Sequence, residues 1–409
     1  MTKARRVVEQ VVRMSYGRLL AYLAARTGDV MAAEDALGDA LVAALNTWAD
    51  DGVPPHPEAW LLLVARRKLL DDVRRTKVKD KAVHLLAFSA LATPGEQALE
   101  ENAFPDDRLK LLFVCAHPAI DATIHTPLML QMILGFKAHQ IASAFLVSPA
   151  TMSQRLVRAK AKIRDAGIAF KLPLSRDFSI RLNAVLEAIY AVYTFGWESI
   201  AGSDPRQKGL AEEALWLARL CVQLMPNEPE ARGLLALILL CEARRDARRA
   251  VDGAYVPLSE QNTALWSREM IQAAEAELAR AFGCQKLGRF QLEAAIQSAH
   301  VQRSNKRESD WETIAFLYEG LLQLAPTLGA LVSHAAAIAE ARGFTIGLET
   351  LNKIPLASVK NYQPYWALKA HLLQNLSCLR EAKEAYQRAI GLSEDGAVRE
   401  FLFKRALQL

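Results

Sequence analysis

The stretch KAHQIASAFLVSPATMSQRLVRAKAKIR, Lys137 to Arg164, decides the fold of its part of the chain. Ser148 suits a helix N-cap, because its hydroxyl can accept from a free backbone N–H. Pro149 suits the first helical position, where no N–H is needed. Beyond it, Met152, Leu156, Ala159 and Ile163 recur at helical spacing as an apolar stripe. Thr151, Arg155, Arg158 and Lys162 form a polar, basic stripe on the other side, with Gln154 beside it. Upstream, Ile141, Ala142 and Phe145 give a shorter helix its inward face. A helix, a tight turn and a second helix with a basic outer face make a helix-turn-helix. Its outer face would enter a DNA major groove. Thr151, Gln154, Arg155 and Arg158 would reach base edges or phosphates, and Lys160, Lys162 and Arg164 would meet phosphates. The competing reading is a solvated amphipathic helix, and a second basic patch bears on that choice.

That patch is AWLLLVARRKLLDDVRRTKVK, Ala59 to Lys79. Its pattern turns Leu62, Leu63, Leu69 and Leu70 inward, with Arg66, Arg67, Arg74, Arg75, Lys77 and Lys79 outside. Residues 66–79 carry seven bases and two acids, and residues 137–176 carry eight bases and one acid. These local charges of +5 and +7 sum to +12, against +5 for the whole chain, so the remainder is −7. Two concentrated basic patches on a mildly acidic body point to nucleic acid rather than to a membrane surface. Trp48 and Trp60 flank the loop ADDGVPPHPEA. Aromatic rings beside cations suit single-stranded DNA, where unstacked bases lie on rings while phosphates meet arginine; the alternative is that both tryptophans are core residues. Upstream, DVMAAEDALGDALVAALNTW carries Glu34, Asp35 and Asp39, a poor surface for DNA and a suitable one for a protein partner.

Charged residues make up 23% of the 409 positions and hydrophobic ones 52%, ordinary for a globular chain of two or three domains. Ala and Leu recur in helical steps and no run of alternating Val, Ile and Thr is found, so the predicted class is all-α. The five cysteines, Cys115, Cys221, Cys241, Cys284 and Cys378, stand singly, as expected of reduced thiols in a cytosol. The N-terminus has an early acid and no long apolar core, so no secretory signal is expected. The most apolar run, GLLALILLCEA from Gly233, is too short to span a bilayer. The sequence has no P-loop, GxGxxG, HExxH or GxSxG motif and no His/Cys/Asp cluster with metal-ligand spacing. The expectation is a non-enzyme with no cofactor and no metal.

The predicted organisation is a helical domain over 1–78, a linker over 79–104, and a second helical domain over 105–172. A helical extension over 178–409 follows. The extension repeats weakly. Ala336 and Ala370 lie 34 residues apart, and Trp366, Ala370, Ala382, Tyr386 and Ala389 fit the spacing of a tetratricopeptide repeat. Pro226 and Pro326 follow apolar helices. The segment DGAYVPLSEQNTALW, 252–266, interrupts the period as a loop.

Together these segments resemble a known family. AAEDALGDALVAALNTW and PEAWLLLVARRKLLDDVRR are similar to region 2 of bacterial extracytoplasmic-function (ECF) sigma factors. FPDDRLKLLFVCAHPAI and LMLQMILGFKAHQIASAFLVSPATMSQRLVRAKAKIRDAGI resemble their region 4. PNEPEARGLLALILLCEAR, LSEQNTALWSREMI and FQLEAAIQSAH resemble the subgroup with a C-terminal tetratricopeptide-like helical extension. The resemblance implies a cytoplasmic transcription-initiation factor that partners RNA polymerase core and promoter DNA, with no membrane attachment. The helix with Glu34, Asp35 and Asp39 would bind polymerase core. Trp48, Trp60, Arg66, Arg67, Arg74 and Arg75 would recognise and help open the −10 element. The helix from Pro149, with Thr151, Gln154, Arg155, Arg158, Lys160 and Lys162, would read the −35 element. The extension would regulate activity through a protein partner or signal. Departures exist. Ala116 stands where the subgroup often has a second cysteine beside Cys115, which argues against a metal or redox role there and leaves His117 structural. TFGWES, 194–199, lacks the subgroup's Asn-Glu before the glycine, and Ser333-His334 replace an Asn-Arg pair. The rival reading is a helix-turn-helix regulator that senses a ligand or protein through the extension without the sigma role. A third is a protein-binding scaffold.

Overall fold

The computed structural model describes residues 3–76, 106–145, 147–198, 209–302 and 310–409, so the expected 79–104 linker lies outside the described residues. Among them every regular element is helical, apart from one isolated antiparallel bridge between Arg249 and Tyr255. The all-α expectation holds. The chain falls into two compact units, divided within residues 197–215.

The first unit begins with α1 (Lys3–Thr27), α2 (Val30–Asp50) and α3 (Pro57–Thr76), which pack on one another. Asp29 starts α2 by accepting from the backbone N–H groups of Met31 and Ala32 at 3.0 and 3.1 Å. Val30, Ala33, Leu37, Ala40, Ala44 and Trp48 then form one buried stripe. On α3 the buried positions are Leu61, Leu62, Ala65 and Leu69. Leu63, expected inward, is 40% exposed, because the helical turn places it on the far side from Leu62 and Leu69.

Next come α4 (Arg108–Cys115), α5 (Ala122–Met132), α6 (Ala138–Ala144) and α7 (Pro149–Asp165). They pack as a group, and α1 also touches α4 and α5 while α2 touches α7. Gly17 explains the close approach of α1: a Cβ there would strike the backbone of Ile133. A mid-helix glycine costs roughly 1 kcal/mol relative to alanine, and here it lets two backbones meet. The last helix of the unit is α8 (Ser175–Glu198). The boundary expected near 178 is therefore not where the packing divides. Phe178 packs on Phe113 with ring centroids 5.4 Å apart, Arg181 donates to the Phe113 carbonyl at 2.5 Å, and Thr126 donates to the Ala188 carbonyl at 3.2 Å.

Helix α9 (Leu210–Leu224) crosses the division. The second unit continues with α10 (Pro229–Glu242), α11 (Arg268–Gly283), α12 (Arg289–Val301), α13 (Trp311–Leu324), α14 (Leu328–Arg342), α15 (Phe344–Asn352), α16 (Leu356–Val359), α17 (Gln363–Asn375), α18 (Leu379–Leu392) and α19 (Gly396–Ala406). Each packs mainly on helices near it in sequence, the arrangement of a stacked repeat. One join shows how. The Glu230 carboxylate on α10 accepts from the backbone N–H groups of Phe290 and Gln291 at 3.0 and 3.2 Å, capping α12 from outside. In the last pair Ala370, Ala382, Tyr386 and Ala389 are all buried, and the Tyr386 hydroxyl donates to Gln374 at 2.8 Å. Segment 252–266 is irregular, as expected, with only short 3-10 turns at Leu258–Glu260 and Thr263–Leu265.

Candidate nucleic-acid interface

Helix α7 forms as its residues dictate. The Ser148 hydroxyl accepts from the Thr151 N–H at 3.1 Å, Pro149 takes the first turn, and Met152, Leu156, Ala159 and Ile163 are buried. Helix α6 packs beside it across a short turn. Gln154, Arg155, Arg158 and Lys162 are exposed, and Thr151 is half-buried with its hydroxyl 2.7 Å from that of Ser148. Arg155, Arg158 and Lys162 make no ion pair with any described residue. They line one side of a groove of about 350 Å³, with Asp121 and Thr123 from the start of α5 opposite. Asp121 caps α5 through Thr123 at 2.9 Å. That backbone bond, helped by the Thr123 hydroxyl, holds its carboxyl below the usual range. Three cations on one open wall, facing a single capped acid, suit a polyanion backbone.

Lys160 is placed differently from expectation. It is 12% exposed and pairs with Glu34, itself 15% exposed, at 2.5 Å. The pair joins α7 to α2, so neither residue is presented to solvent: Lys160 is not on the open basic wall, and Glu34 is not on the acidic face of α2. The other Glu34 oxygen is buried without a hydrogen bond. Both placements were readable in the spacing. At roughly 100° per residue, Lys160 lies on the side of α7 opposite Arg155, Arg158 and Lys162. Glu34 flanks the buried stripe of α2, while Asp35 and Asp39 face away. The surroundings are dry. Burial pushes the Tyr16 hydroxyl far above its ordinary value, with Glu34 and Asp35 adding to the effect. Burial likewise raises the Cys115 thiol, Glu34 adding and Lys160 opposing. A buried, protonated thiol is a poor metal ligand or redox group, and no cluster that could hold a metal is found among the described residues. His117 accepts from the Ala119 N–H at 3.1 Å, which fits a structural role.

Asp35 and Asp39 are exposed on α2, and Asp39 lies 3.4 Å from Lys68 in a solvent-facing pair. Sequence reading missed their apolar neighbour Val42, three residues beyond Asp39 and 59% exposed. Acids beside an exposed branched side chain suit a protein contact better than DNA.

Trp48 needs correction as a base platform. It is 3% exposed and meets Trp60 edge-on, with ring centroids 5.3 Å apart and planes at 64°. It has no face open to a base and instead backs Trp60, which is half-buried. Arg66 is half-buried and Arg67 exposed. Arg74 and Arg75 lie on α3, but their side chains fall outside the described residues.

Residues 11–78 match the family Sigma-70 region 2. Residues 181–282 match a family of unknown function, DUF6596, across the division between the units. The chain is 37% identical over 370 residues to the uncharacterized protein R00370 of Rhizobium meliloti (strain 1021), covering 89% of this chain and 87% of that protein.

Proposed function

The chain belongs to the same family as R00370 of Rhizobium meliloti, and from its N-terminal sigma-70 region 2 we propose that it is an ECF-type sigma factor. In this reading it binds RNA polymerase core in the cytoplasm and directs promoter-specific initiation, while polymerase supplies the chemistry. The exposed Asp35 and Asp39 side of α2 docks on core. Trp60, Arg66, Arg67, Arg74 and Arg75 on α3 meet the −10 element, with Trp48 as support behind Trp60. Thr151, Gln154, Arg155, Arg158 and Lys162 on α7 read the −35 element. The second unit, a tetratricopeptide-like extension, regulates activity.

The observation that carries this reading is the open wall of α7. Its three cations stay unpaired although the unit offers carboxylates elsewhere. A region 2 fold beside such a helix accounts for two separated promoter contacts, each weak alone and joined through the linker and polymerase. Lys160 and Glu34 neutralise each other in the packed form, so either reaches DNA or core only when α2 and α7 part.

Run-off transcription with purified core polymerase tests it. Start-site-specific transcripts that need the added protein support the sigma reading. Duplex binding without such transcripts would replace it with the helix-turn-helix regulator. Neither activity would leave a protein-binding scaffold.

A further inference from the structure

The second unit holds a cavity of about 270 Å³ that the promoter reading does not use. It is just under the smallest ordinary ligand pockets, about 300 Å³. Its floor is apolar: Ala336 and Ala339 on α14, with Leu368 and Leu372 on α17. The two alanines leave room that larger side chains would fill. Ala336 and Ala370 share a position in the repeat, yet Ala370 is fully buried while Ala336 lines this space. The irregular segment 252–266 supplies Leu258 and Ser259 to the cavity lining.

The polar lining is one-sided in charge. Glu340 is exposed at the rim and is the only carboxylate among the lining residues, which include no lysine or arginine. Trp311 also lines the cavity, held edge-to-face by His300 with ring centroids 5.4 Å apart. His371 is held in the same way by Phe344 at 6.0 Å. Burial lowers the His371 imidazole below its ordinary value, against the pull of Glu340 and with Arg405 adding to the lowering. The nearby cation Arg405 is taken up by Glu260 at 2.7 Å. An apolar floor, an indole and a single carboxylate repel anions and favour a protonated amine.

We propose that this cavity binds a small organic cation, with its apolar body on the Ala336 and Ala339 floor and its ammonium between Glu340 and Trp311. The site is independent of the promoter contacts and gives the extension a ligand of defined chemistry.

Calorimetry on the full chain with phenethylamine, 2-phenylethanol and 3-phenylpropionate tests it. Phenethylamine should bind saturably and best, and phenylpropionate worst. Glu340→Gln should weaken phenethylamine by about tenfold or more and leave phenylethanol within about twofold. Ala336→Leu should abolish binding of both. If that variant melts early, Ser259→Trp, at an exposed rim position, should close the mouth without touching the floor. Absence of saturable amine binding would overturn the proposal. So would equal binding of the carboxylate, or amine binding unchanged by Glu340→Gln.

Discussion

Four arginines of the second unit and two of α7 do opposite things. In the second unit Arg232 pairs with Glu277, Arg249 with Asp395, Arg342 with Glu312 and Arg405 with Glu260. Each pair ties together segments distant in sequence. Arg155 and Arg158 on α7 reach no carboxylate and face solvent. The Arg232 and Arg249 pairs are largely desolvated and hold the fold in one geometry at small net gain, while the Arg342 and Arg405 pairs face solvent. Unpaired surface cations contribute little to folding and stay available to a polyanion. In the proposed reading the same residue type thus serves architecture in one unit and recognition in the other. Lys160 is the instructive case between them, a base on α7 that behaves as an architectural one.

The largest effect is expected at Lys160. Lys160→Met leaves the buried Glu34 carboxylate with neither oxygen paired, which should cost the first unit about 3–5 kcal/mol in urea unfolding. Arg232→Ala should cost the second unit less, because Glu277 keeps its pair with Arg280 at 2.6 Å. The double variant Glu34→Gln with Lys160→Met should recover most of the first loss. A loss below about 1 kcal/mol would mean that the pair behaves as a surface one.

Arg155→Ala and Arg158→Ala should divide the other way. Each should weaken promoter DNA binding by about 1–3 kcal/mol where it reads a base. Each should shift thermal stability by no more than about 0.5 kcal/mol. Where the contact is to phosphate instead, the slope of log affinity against log salt should fall by about one per residue. Titrations at several salt concentrations separate the two. Smallest is Ser148→Ala, which removes the α7 cap and should cost about 1 kcal/mol of stability, read by thermal melting, with a matching modest loss of DNA affinity.

Much of this arrangement was legible in the sequence. The Ser148 cap, the four buried residues of α7 and the turn before it follow from local chemistry and helical period alone. The all-α class and the loop at 252–266 follow from the same signals. What escaped was long-range. Nothing local to Lys160 names a partner 126 residues away. Nothing local to Trp48 says that packing leaves its ring no open face. The division after α8 depends on Phe178, Arg181 and Ala188 finding partners on α4 and α5, a tertiary choice that the Pro-containing stretch near residue 173 does not encode. Helical angle would have corrected Lys160 and Glu34 in part, since both sit beside the apolar stripe of their helix.

In the proposed assembly α2 is the surface that holds polymerase while α3 and α7 address DNA. The most direct test is association of the full chain with purified core RNA polymerase, followed by size-exclusion chromatography and titration. The wild-type chain should co-elute with core. The double reversal Asp35→Lys with Asp39→Lys, folded by its melting curve, should bind about tenfold more weakly or worse. Undiminished association of the reversed chain would contradict the assignment of α2 to polymerase.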